Sequence, residues 1–315
     1  MKPNVASIGA INWDISLYVP KIAGPGEEVV VKRIERIPGG KAANVAVAVA
    51  RLLGRWKCAI VGGVGDDEIG RAHKEIFEKE GVVTDYLFVF KNVQSGQAYI
   101  LIDERGENQI NTYFGANAEL KEEHAEMVRE LIENLEFLVI MDPPIPFTRK
   151  IMEYAKGKVP ILWAPGVRTL RDKEAVISLL NYIDYFVLNE HELVNLLNVS
   201  NTSLASRKLI GKFSKLKLIV TLGERGSMLA SKDKEIVEEG VKLDKLGLKA
   251  VNTVGCGDAF VGAFASYMVL TNDEAKALEM ANYAGAYKAT KYETRGSPTR
   301  EELELFKKSY MSALT

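Results

Sequence analysis

Short apolar runs of strand length alternate with longer stretches of helical period along most of the chain. Val5 to Ala10 and Lys57 to Val61 read as buried strands. A helix rich in Ala and Val, Ala42 to Leu53, opens after Gly39-Gly40 and stops at Gly54; a second, Asp67 to Glu80, stops at Gly81. From Glu119 onward helical segments alternate with the apolar runs Phe137 to Met141, Val159 to Trp163, Tyr185 to Leu188 and Leu218 to Thr221. That alternation predicts a parallel sheet covered by helices on both faces. The chain from Gly257 to about Met311 reads as mainly helical.

Two early pieces break the alternation. Ile15 to Val19 and Val29 to Ile37 alternate in polarity around the turn Gly24-Pro25-Gly26. Tyr86 to Phe90, Gly96 to Ile102 and Gln109 to Phe114 follow, the last two flanking a hairpin turn at Asp103–Glu107. These pieces form either a small sheet inserted twice or an extension of the main sheet's edge. The first option divides the chain into a core of 1–13, 37–88 and 115–315 and a small sheet of 14–36 and 89–114.

Composition narrows the class. The chain has 315 residues, with 41 Lys plus Arg against 42 Asp plus Glu. That balance gives no footprint for nucleic acid or a membrane surface. Cys58 and Cys256 lack any CxxC partner, and His73, His124 and His191 lack metal-ligand spacing. A reducing, cytoplasmic setting is expected. No apolar run reaches the length of a membrane span, and the N-terminus lacks the form of a cleavable signal.

The richest chemistry lies in Asn252-Thr253-Val254-Gly255-Cys256-Gly257-Asp258. Gly255 and Gly257 let the backbone approach an anion, and the apolar helix that follows points its N-terminus at the same place. Asp258 is an acid inside an anion cradle, a placement that suits a general base beside a phosphoryl group. The plainer reading is an N-cap turn. A second glycine turn, Pro38-Gly39-Gly40-Lys41-Ala42-Ala43-Asn44, puts a cation and a bidentate amide in the first turn of a helix, a pair suited to a polyhydroxylated ligand. Asn12 and Asp14 supply an amide and a carboxylate near the end of the first strand; the plainer reading makes them turn formers.

These two turns resemble the two signatures of the ribokinase-like (PfkB) carbohydrate kinase family, in order and over 200 residues apart, and the pattern is most like its ribokinase members. The resemblance implies a three-layer α/β/α fold with a mostly parallel central sheet and a small β-sheet lid that often forms a dimer contact. It implies transfer of the terminal phosphoryl of ATP, or ADP, to a hydroxyl of ribose or a ribose-containing small molecule, with nucleosides and sugar phosphates such as ribose 1-phosphate or fructose 1-phosphate as alternatives. Asp258 matches the catalytic base, and Gly255, Cys256 and Gly257 match the anion hole. Asn12, Asp14, Gly40, Lys41, Asn44 and Asp142 match the sugar-binding positions. Asn189 and Thr221, Gly223 and Gly226 match nucleotide-binding positions, and Asn282 one beside the adenine. Glu192 matches a residue that helps hold Mg²⁺ through water. Plainer readings stand beside these: Asn189 and Glu192 as a helix-capping pair, Gly223 and Gly226 as a hairpin turn, Asn282 as a surface amide.

Two departures stand out. Asn252 takes the place of an aspartate tied to a monovalent-cation site, which puts potassium activation in doubt. Cys256 replaces a small residue; a thiol at a helix N-terminus is open to a lowered pKa. Two other classes fit less well. Gly63-Val64-Gly65 follows a strand like a dinucleotide fingerprint, but Glu68 stands where its third glycine belongs. A sugar- or nucleotide-sensing protein without activity would have no use for Asp258.

Overall fold

The computed structural model describes residues 2–314. Among them, thirteen strands form two sheets. The strands are β1 (Val5–Gly9), β2 (Asn12–Tyr18), β3 (Arg33–Gly39), β4 (Cys58–Gly65), β5 (Leu87–Phe90), β6 (Gly96–Ile102), β7 (Asn108–Tyr113), β8 (Phe137–Met141), β9 (Ile161–Trp163), β10 (Tyr185–Asn189), β11 (Lys217–Thr221), β12 (Gly226–Ala230) and β13 (Glu235–Glu239).

The large sheet runs β13-β12-β11-β10-β9-β8-β1-β4-β5. From β11 to β5 every neighbouring pair is parallel, while β12 and β13 add an antiparallel edge. The strands are apolar on both faces because both are covered. Phe137, Val139 and Met141 pack with the helices Lys41–Leu53, Cys256–Thr271, Glu274–Ala289 and Arg300–Leu314, whereas Leu138 and Ile140 pack on the opposite side with Phe147, Ile151 and Leu193. Side chains of alternate residues thus serve two cores, which is why these runs lack polar alternation. The architecture is the expected three-layer α/β/α fold.

The small sheet runs β3-β2-β6-β7, with β2 and β6 parallel and both outer pairs antiparallel. Its boundaries differ from the division drawn on the sequence. Asn12 and Trp13 belong to β2, and 37–39 to the end of β3, so both strands begin or end inside the ranges assigned to the core. Val89 and Phe90, assigned to the small sheet, pair with Val64 and Gly65 at the edge of the large one. Val29 to Lys32 lies outside any strand, with Val30 78% exposed; alternation there had no partner to pack against. The antiparallel pair β12 and β13 was not anticipated, since the Glu-rich β13 is half solvated and carries little apolar signal.

Candidate active site

Two helix N-termini meet at one point. Gly40 opens the helix Lys41–Leu53 with φ 94°, where any Cβ would collide with the backbone between Ala10 and Asn12. Gly255 opens the helix Cys256–Thr271 with φ 87°, its Cα pressed against the Thr294 carbonyl. Glycine is the residue that accepts both constraints. The two helices lie against each other through Gly262 and Ala48, and their first turns are joined by a hydrogen bond from Asn44 Nδ2 to Asp258 Oδ2 at 2.7 Å. Asp258 is 8% exposed.

At the start of the second helix, the Cys256 N–H turns back to the Thr253 carbonyl at 3.2 Å. The N–H groups of Gly255, Gly257 and Asp258 have no partner among the described residues, and a Cβ on Gly257 would meet nothing within 4 Å. Of the N–H groups expected to form an anion cradle, those of Gly255 and Gly257 are thus open, whereas that of Cys256 is engaged within its own turn. The thiol departs from expectation too. Burial raises the Cys256 pKa; Lys288 opposes the rise in part and Asp258 adds to it.

A buried network missed in the sequence supports Asn44. Arg295, 6% exposed, donates from Nε to Asn44 Oδ1 at 3.1 Å and from Nη2 to the Gly39 carbonyl at 2.8 Å. Its Nη2 also meets His73 Nδ1 at 3.1 Å. A guanidinium cannot accept, so Nδ1 accepts and Nε2 carries the proton that His73 donates to the Asn12 carbonyl at 3.0 Å. Burial holds His73 well below its ordinary pKa, with Arg295 contributing, in keeping with a neutral ring. Burial likewise lowers Arg295 to about 9, opposed chiefly by Asp14. Asn117, fully buried, pins the β1–β2 connection by bonding both main-chain groups of Ile11 and the side chain of Asn12. No local pattern flags His73, Arg295 or Asn117, because each acts across more than 60 residues of chain.

The other expected sugar-site residues converge on the same region. Asp14 lies on β2 against Gly39, whose lack of a Cβ makes room for the carboxylate. Burial pushes the Asp14 carboxyl up to about 7; Arg295 opposes the rise and Asp258 adds to it. Lys41 keeps an accessible surface; desolvation lowers its pKa, but the charges of Asp258, Glu192 and Asp142 outweigh this and leave it raised. Asp142, buried at the end of β8, has φ 62°, an uncommon backbone for a non-glycine residue. Thr169 holds its Oδ1 through the main-chain N–H at 3.0 Å and the hydroxyl at 2.5 Å.

On the other side of the Cys256 helix lies a cavity of about 810 Å³. Asn189, Thr221, Gly223, Gly226 and Asn282 all line it, together with Cys256 and Gly257. Residues drawn from four separate segments thus share one space, and Gly257, whose N–H is open, is among them. Asn189 and Glu192 form a reciprocal capping box, each accepting from the other's main-chain N–H, while Gly223 lies in the turn between β11 and β12 and Gly226 opens β12, so the plainer readings of these residues describe real contacts. Asn282 donates to the Glu238 carbonyl at 3.3 Å.

An α/β/α sandwich whose buried acid adjoins open main-chain N–H groups at a helix start, beside a cavity of about 810 Å³, suits a phosphotransferase. A family model described as pfkB family carbohydrate kinase matches residues 2–300, and the chain belongs to that family, phosphotransferases with an alcohol group as acceptor. Ribokinase from Dictyostelium discoideum is 30% identical over 315 residues, covering 94% of this chain and 98% of its own length. Ribokinase from Bacillus subtilis (strain 168) is 30% identical over 304 residues, covering 96% and 98%. Among solved structures, Arabidopsis thaliana ribokinase complexed with ribose and ATP superposes with a TM-score of 0.87 at 26% identity, covering 97% of this chain and 99% of its own. Thermotoga maritima ribokinase gives 0.84 at 28%, covering 96% and 99%.

Proposed function

We propose that this protein transfers the terminal phosphoryl of ATP to a hydroxyl of ribose or a ribose-containing small molecule. The observation that carries the reading is the unpaired N–H groups of Gly257 and Asp258, which stand between the 810 Å³ cavity and the Asp14–Lys41–Asn44–Asp258 cluster. The names of the curated relatives, and the ribose and ATP in the Arabidopsis complex, support both substrates.

The nucleotide lies in the cavity between Asn189, Thr221, Gly223, Gly226 and Asn282, with its terminal phosphate at the Cys256 helix. Asn12, Asp14, Gly40, Lys41, Asn44 and Asp142 hold the acceptor. Asp258, oriented by Asn44, takes the proton of the attacking hydroxyl, a role worth roughly 10²–10⁴ in rate. The helix N-terminus and Lys41 hold charge developing on the phosphoryl group.

Among the described residues no group of three His, Cys, Asp or Glu side chains forms a metal site. A magnesium ion carried by phosphates needs only one or two carboxylates and keeps its waters, and Glu192, an oxygen donor whose capping bond uses one of its lone pairs, fits that part. Bound there, Mg²⁺ supplies neutralisation of the donor phosphates.

The small sheet acts as a lid on the acceptor side, since β2 carries Asp14 and β3 ends at Gly39. Its exposed Ile34, Tyr99 and Tyr113 suit a second copy of the chain. No helix among the described residues is long and apolar enough to cross a membrane, in keeping with work in the cytoplasm.

The test is an acceptor screen with Mg-ATP and Mg-ADP in parallel over pentoses, hexoses, nucleosides and sugar phosphates, read by mass of the product. Phosphorylated ribose with ATP is the expected result. Transfer confined to hexoses, or no transfer to any acceptor, overturns the reading.

A further inference from the structure

Lys288 is fully buried, near the end of the helix Glu274–Ala289, and its ammonium faces main-chain carbonyls. Nζ donates to the Asn252 carbonyl at 2.9 Å and reaches the Lys291 carbonyl at 3.5 Å. Burying an ammonium is costly unless its donors are matched, so this placement is held by a specific set of acceptors. The acceptors belong to the two segments that build the cradle. Residues 251 and 252 donate from their main-chain N–H groups to the Ala289 carbonyl, and Asn252 leads directly into the glycine turn. The Lys291 segment runs on to Thr294, whose carbonyl meets Gly255, and to Arg295, which holds Asn44.

A dissociable monovalent cation does not fit this corner. The aspartate that a cation would need is Asn252, whose side chain is already used at both ends: Nδ2 donates to the Tyr292 carbonyl at 2.8 Å, and Oδ1 accepts from the Val254 N–H at 2.9 Å. The Asn252 carbonyl accepts from the Lys288 ammonium, which already supplies a positive charge to this corner.

We propose that Lys288 is a built-in cation: its tethered ammonium fixes the 252–256 loop, and with it the anion cradle, so that the protein needs no potassium or sodium ion. This rests on the phosphotransferase reading above and assigns Lys288 as a positioning residue, not a catalytic one. Burial lowers its pKa, opposed by Cys256, Glu293 and Asp258, which places the group within electrostatic reach of the site.

Two readouts test it. In buffers containing only Mg²⁺ and a bulky organic cation, addition of KCl or NaCl should leave the wild-type kcat unchanged beyond the effect of choline chloride at equal ionic strength. Lys288→Ala should lower kcat about ten- to hundred-fold, the scale of a roughly 1 Å misplacement at the reacting centre. K⁺ or NH₄⁺ should then restore activity in a saturable way, and Lys288→Arg should keep cation independence. Independently of turnover, the melting temperature should respond to K⁺ over choline in Lys288→Ala and not in the wild type. Saturable activation of the wild type by K⁺, or full activity of Lys288→Ala without added cation, overturns the proposal. So does the absence of any K⁺ rescue in a Lys288→Ala protein that folds. Wild type that phosphorylates nothing sinks the kinase reading instead, while the melting experiment still decides the role of Lys288.

Discussion

Asn44 Nδ2 donates to Asp258 Oδ2 at 2.7 Å, joining the first turns of two helices that lie 214 residues apart in the chain. The bond leaves Asp258 one oxygen directed by an amide that Arg295 holds in turn. An acid so fixed is aimed before any substrate arrives.

Asp258→Asn therefore keeps the geometry and removes the carboxylate proposed as the base. Turnover should fall by about 10²-fold or more, while acceptor affinity measured by calorimetry stays close to wild type. Near-normal turnover would show that another group takes the proton.

Asp14 sets a pH dependence in two opposite senses. Its carboxyl titrates about 7 in the folded chain against an ordinary value of 3.8. Between those values the folded chain keeps a proton that the unfolded chain has released. The stability contributed by this group is thus full below 3.8 and is lost as pH rises through about 7. The ionised form is the better acceptor for hydroxyls, so acceptor affinity should rise over the same window. Asp14→Asn should flatten both trends, checked by melting temperature and by acceptor KM from about pH 4 to 8. Parallel melting profiles for the two proteins would refute the assignment.

Much of this arrangement was legible in the chain itself. Gly39-Gly40 and Gly255 announce their turns because a left-handed or crowded backbone demands glycine, and apolar runs announce the parallel strands because both faces are buried. The support for the site was not legible. His73, Arg295 and Asn117 look like ordinary polar residues, and only the fold brings them under Asn44 and Asn12. Boundaries of the small sheet were misplaced for a related reason: β2 and β3 run without a break into the segments assigned to the core, and the pairing of Asn12 with Gly39 that joins them is a long-range one.

Gly255→Ala carries two penalties, a positive φ and a collision with the Thr294 carbonyl. A loss of about 1–3 kcal/mol in denaturant unfolding is expected, with a larger fractional loss of turnover because the strain is released by moving the cradle. A variant as stable and active as wild type would show that the turn tolerates a side chain.

Glu192→Gln separates a structural role from a metal-related one. Glutamine can keep the capping bond to the Asn189 N–H, so the melting temperature should not change. The Mg²⁺ concentration for half-maximal rate should rise. An unchanged Mg²⁺ response would confine Glu192 to capping its helix.

The contact between Gly255 and the Thr294 carbonyl, with Arg295 beside it, has a bearing on biogenesis. A nascent chain can bring the acid at position 258 out of the ribosome and still lack the wall that shapes its neighbourhood, because that wall is encoded some forty residues later. Fragments that end before Thr294 thus carry the acid without the carbonyl that packs on Gly255, and are expected to be inert.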